Sequence, residues 1–94
     1  MRFTFDPAKD VANIVKHGLS LVDAPLDFNA PGKLTLTSPR ASEVRLMDVA
    51  LVEVAGVVLV LVYVLRELNE VRSISLRRAS KQERKLYASW QETQ

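Results

Sequence analysis

The chain has 94 residues, 48% hydrophobic and 26% charged, with a formal net charge of +2. That length and balance suit one domain, residues 1–94, able to bury a core without staples. The absence of cysteine excludes disulfides and thiolate metal sites, and a single histidine argues against a zinc cluster, so no metal or cofactor is expected.

Met1 to Pro7 lacks the apolar core of a secretory signal. The longest apolar run, Val57 to Leu65, has nine residues, well short of the roughly 20 that span a bilayer as a helix. A soluble, cytoplasmic protein with no membrane partner is the expectation.

Arg2 to Phe5 predicts a short strand with Phe3 and Phe5 on one face. Asp6-Pro7 predicts a helix start, with aspartate as N-cap and proline in the first turn. Ala8, Val11, Ala12 and Val15 then recur at helical spacing, giving one apolar stripe. Lys9, Asn13, Lys16 and His17 fall on the polar side, and Gly18 suits the left-handed residue that ends a helix. Ser20 to Phe28 reads as a second, shorter helix that starts late or breaks at Pro25. Ala30-Pro31-Gly32 is a turn, Lys33 to Thr37 a short strand, and Ser38-Pro39-Arg40 is expected to break it.

Val44 to Val54 alternates as a strand, with Asp48 interrupting one face, and Ala55-Gly56 supplies a turn. Val57 to Leu65 has the β-branched, apolar character of a central strand covered on both sides. Glu67 to Glu70 is a hairpin loop and Val71 to Leu76 the last strand. Ser80-Lys81-Gln82-Glu83 has the form of a capping box, opening a helix through Leu86, Tyr87 and Trp90. The predicted fold is α+β: an antiparallel sheet of four strands, or five with the N-terminal segment, flanked by N-terminal helices and a C-terminal helix.

Positive charge is concentrated in one place. Arg72 to Lys85 carries six Lys/Arg against Glu83 alone, a net of +5, and leaves −3 for the remainder. A strand running into a capped helix with that charge suggests a polyanion as partner.

Two blocks resemble one known family. Phe5-Asp6-Pro7-Ala8-Lys9, Asn13, Lys16-His17-Gly18-Leu19-Ser20 and Ala24 are similar to the N-terminal signature of the BrnT toxins. Arg72-Ser73-Ile74-Ser75-Leu76-Arg77-Arg78-Ala79, Glu83-Arg84 and Tyr87 resemble its C-terminal signature, with Glu43, Arg45 and Tyr63-Val64-Leu65-Arg66 between them. The resemblance implies a ribonuclease toxin of a type II toxin–antitoxin pair, with a RelE-like fold, that inhibits translation by metal-independent RNA cleavage. It implies a BrnA-like antitoxin with a ribbon-helix-helix part, and operator DNA bound only through the toxin–antitoxin complex. A second reading is a non-catalytic homologue that binds the antitoxin and acts only as co-repressor. A general RNA-binding domain fits less well, because no aromatic residue interleaves the basic cluster before Tyr87.

RNA cleavage without a metal needs a base for the 2′-hydroxyl, an acid for the leaving oxygen, and cations for the phosphorane charge. Arg72 and Arg77 are candidates for the last role, with Glu83 as base and Tyr87 as proton donor or stacking ring. Lys9, Lys16, Arg45, Arg66, Arg78, Lys81 and Arg84 are candidates for holding RNA. Each has a structural reading beside it. The capping box alone explains Glu83, a helix tyrosine is commonly half-buried packing, and Trp90 follows the same stripe. His17, whose ordinary pKa lies near neutrality, has a reading as acid or base, but it is expected mainly to serve the last carbonyls of its helix.

Overall fold

In the computed structural model, which describes residues 1–40, 43–67 and 69–94, five strands form one sheet in the order β1-β5-β4-β3-β2. They are β1 (Arg2–Thr4), β2 (Leu34–Arg40), β3 (Glu43–Val52), β4 (Val57–Arg66) and β5 (Glu70–Arg78). Three helices accompany them: α1 (Pro7–His17), α2 (Ala24–Phe28) and α3 (Lys81–Glu92). The sheet is mixed rather than antiparallel. β2 through β5 form an antiparallel meander, but β1 lies parallel to β5, with Phe3 opposite Val71. The meander follows from its short connections, whereas no hairpin dictates the direction of β1. Glu70 ties the added strand, accepting from Arg2 and from the Thr4 hydroxyl.

Several expected boundaries change: β3 ends at Val52 rather than Val54, and β5 runs on from Leu76 to Arg78. β2 runs on through Pro39 to Arg40, paired with β3. As an edge strand it has one side that needs no ladder donors, so proline is tolerated there. The segment after Gly18 is a 3₁₀ turn at Leu21–Asp23 followed by α2, with Pro25 in the first turn of the helix. In the expected Glu67–Glu70 loop, Leu68 lies outside the described residues. Asn69 takes the positive φ of 59° that turns β4 into β5.

The alternation along β4 divides the core in two. Leu59, Leu61 and Tyr63 join Val71, Leu76, Leu21 and Ala24 on one face, beneath α2 and the 3₁₀ turn. Val60 joins Val49, Ala79 and Tyr87 on the other, beneath α3. α3 covers only part of its face, so the remainder of that sheet surface lies open beside the helix N-terminus.

Candidate functional site

The open part of the α3 face holds a polar cleft. It encloses about 400 Å³ and is lined by Ser38, Arg45, Met47, Val62, Ile74, Ser75 and Arg77. A second hollow of about 190 Å³ adjoins it, lined by Lys9, Ala12, Asn13, Lys16, His17, Ile74 and Ser75. Ile74 and Ser75 line both, so the two hollows adjoin and form a basic trough that runs from α1 across β5 to β3.

A bulge in β5 makes this possible. Ser73 lies opposite Tyr63 and Ser75 opposite Val62, leaving Ile74 as the extra residue. Before it, Val71 and Ser73 are buried on the α2 face; after it, Leu76 takes that face. The alternation expected along Val71, Ser73 and Ser75 is therefore reversed at Ile74. Without the extra residue Arg77 would point beneath α2; with it, Ser75 and Arg77 turn into the open cleft.

Arg77 is held rigidly. Its two terminal nitrogens donate to the two oxygens of Glu83, at 2.7 and 2.9 Å. Glu83 also accepts the Ser80 N–H at 2.8 Å, and Ser80 accepts the Glu83 N–H, so the capping box of α3 is complete. The Arg77 hydrogen bond, joined by the Ser80 N–H, overcomes partial burial and lowers the Glu83 pKa to about 2. A carboxylate that weakly basic, with both oxygens occupied, orients the guanidinium far better than it accepts a proton.

Tyr87 is buried in the core under α3, where its hydroxyl accepts the Leu51 N–H at 3.2 Å and its ring stacks on Trp90. The packing reading describes both aromatics. His17 is half-buried, and among the described residues it bonds none of the carbonyls ending α1; the Gly18 N–H bonds Ile14 O instead. Its pKa is lowered, chiefly by burial and then by Lys16 and Arg77, so the imidazole is neutral at neutral pH.

The basic joint of the sequence divides into three regions. Arg77 joins Arg45, Lys9 and Lys16 around the trough. Arg78 and Arg84 line a separate hollow with Leu51, Val57 and Val58, where Arg84 also donates to Ala79 O at 2.8 Å. Arg66, which ends β4, and Arg72, near the start of β5, lie at the far end of this strand pair, where their charges act on Glu70. Lys81 is exposed at the start of α3 and lines none of these hollows. The sequence reading had no reason to select Ser38 and Ser75. Ser38 reaches the cleft through its pairing with Arg45, and Ser75 through the bulge, and neither register is visible in a single sequence. Among the described residues no group of three or more His, Asp or Glu side chains is placed to hold a metal ion, and no helix is long and apolar enough to cross a membrane.

A family model described as the ribonuclease toxin BrnT of type II toxin–antitoxin systems matches residues 5–83. A crystal structure of the Brucella abortus ribonuclease toxin BrnT superposes with a TM-score of 0.64 at 23% identity, covering 86% of this chain and 99% of that one. At that identity the superposition speaks for the fold. No curated protein matches the sequence.

Proposed function

Because the chain belongs to the BrnT family of ribonuclease toxins of type II toxin–antitoxin systems, we propose that it is a metal-independent endoribonuclease whose trough holds the scissile phosphate. The observation that carries this reading is the meeting of His17, Arg77 and Arg45 around the shared Ile74–Ser75 wall. A neutral imidazole accepts the proton of the attacking 2′-hydroxyl. Arg77, fixed by Glu83, and Arg45 stabilise the charge that develops on the phosphate oxygens. The departing 5′-oxygen takes a proton from water at the open mouth of the cleft. Lys9 and Lys16 hold the neighbouring phosphates.

In this reading Glu83 is a positioning residue and Tyr87 supports the fold. Arg66, Arg72, Arg78, Lys81 and Arg84 lie away from the reacting group and serve, at most, a wider RNA footprint. The activity lowers translation in the cytoplasm. A BrnA-like ribbon-helix-helix antitoxin neutralises it, and operator DNA is bound only through that complex. Kinship with the RelE-type toxins belongs to the same proposal.

Incubation of the purified chain with RNA tests it. The wild-type chain is expected to cut, and His17→Gln and Arg77→Ala to slow cleavage by about 100-fold or more. Tyr87→Phe is expected to retain the rate. Dependence on neutral His17 makes activity fall on the acid side, through a pKa below the ordinary imidazole value. Uncut RNA from a correctly folded wild-type chain would overturn the proposal and favour the binding-only co-repressor.

A further inference from the structure

α1 is oriented against the usual rule for a helix packed on a core. Its inward side carries Asp10, which accepts the Leu21 N–H and the Ser20 hydroxyl, and Asn13, which bonds the backbone of Leu76. The apolar stripe points outward: Val11 is 62% exposed, Val15 83%, and Ile14, at its border, 46%. Contiguous apolar surface of this kind marks an interaction site rather than a contribution to folding.

The neighbours of the stripe say what covers it. Lys9 and Lys16 run along its cleft side, both exposed and neither in an ion pair among the described residues. A second copy of this chain fits poorly, because a two-fold pairing through the stripe would bring the lysines of both copies along one seam. RNA fits the lysines but has no use for the valines.

We propose that this face is where the antitoxin docks, through an amphipathic helical segment whose apolar residues cover Val11, Ile14 and Val15 and whose carboxylates pair with Lys9 and Lys16. The inference rests on the toxin reading above and adds how the toxin is silenced. Lys9 and Lys16 also wall the trough. A partner bound on the stripe therefore occupies the lysines that would hold RNA, and docking and neutralisation become one event.

The test compares the wild-type chain with the double variant Val11→Ser/Val15→Ser, each titrated with the purified cognate antitoxin. The variant is expected to melt like wild type, since both side chains are exposed, and to bind the antitoxin roughly tenfold or more weakly. Lys9→Glu/Lys16→Glu is expected to weaken binding as well. Unchanged antitoxin affinity in the folded valine variant overturns the proposal. So does a dimeric free wild-type chain that becomes monomeric in the variant, which would assign the face to a second copy. RNA cleavage by the free chains is measured in parallel and is unaffected by the valine changes. A wild-type chain that fails to cut counts against the nuclease reading alone, while loss of antitoxin binding in the variant still supports the docking face.

Discussion

Asp27 is the least comfortable residue of the fold. It is wholly buried on α2, and neither carboxylate oxygen has a hydrogen-bond partner among the described residues. Asp48, equally buried on β3, takes Lys33 at 2.7 Å, Thr35 at 2.7 Å and Tyr63 at 2.9 Å. Burial first, and the Asp48 charge second, raise the Asp27 pKa to about 8. The folded chain keeps that proton at neutral pH while the unfolded chain gives it up. The group therefore weakens the fold increasingly as pH rises from about 4 toward 8. Asp27→Asn removes the titration and keeps the shape. Its stabilisation in urea unfolding is expected to be larger at pH 8 than at pH 5, by roughly 1 kcal/mol or more; an equal gain at both would refute the assignment. Glu83 has the opposite sign: its pairing with Arg77 is stabilising above the ordinary carboxylate range and is lost as pH falls toward about 2. Ser80 and Glu83 were legible in sequence, because a capping box needs only local spacing. Asp27 was not, since nothing near it in the chain distinguishes a buried acid from a solvated one.

At the scale of elements, α1 shows where local pattern and tertiary placement part company. Its limits were readable from Asp6-Pro7 and Gly18, and Gly18 takes the left-handed φ of 70°. Its facing was not. β1 pairs β5 only between Glu70 and Arg72, leaving the backbone beyond without a strand neighbour on that edge. Asn13 substitutes for that neighbour: its amide nitrogen donates to Leu76 O at 2.8 Å, and its amide oxygen accepts the Leu76 N–H at 3.2 Å. It also donates to Leu19 O at 2.7 Å. The helix thus shields a sheet edge with polar groups, which frees its valines to face outward. Asn13→Ala would leave the buried N–H and C=O of Leu76 without this partner, at a cost of about 2 kcal/mol or more in urea unfolding. A loss no larger than that of an exposed helix substitution would show that water replaces the amide easily. The β5 bulge is the second such case. Period-two alternation predicts facing only while the ladder is regular, and one extra residue at Ile74 decides which side of the sheet receives Arg77.

At the scale of the molecule, the question is how much of the basic joint acts as a unit. Sequence proximity groups Arg72, Arg77, Arg78 and Arg84, but strand alternation and the turn into α3 send them in different directions. Lys9 and Lys16, some 60 residues earlier, line the hollow that adjoins the Arg77 cleft because α1 docks beside β5, whereas Arg78 lines a separate hollow. The joint was therefore legible as a place of positive charge but not as a site. If the trough holds RNA, its cations are Lys9, Lys16, Arg45 and Arg77; Arg77 is already partly neutralised by Glu83, and Arg45 is engaged within the fold as well. Counterion release then sets the salt dependence of binding to a single-stranded oligonucleotide made uncleavable by 2′-O-methylation. The slope of log affinity against log salt is expected to lie between about −1.4, from the two lysines alone, and about −2.8, from all four cations. Lys9→Ala and Lys16→Ala should each flatten it by about 0.7, while Arg78→Ala and Arg84→Ala leave it in place. Were the Arg78 and Arg84 changes to flatten the slope as much as the lysine changes, RNA would track the α3 side of the joint, and the trough would lose its claim to the phosphate.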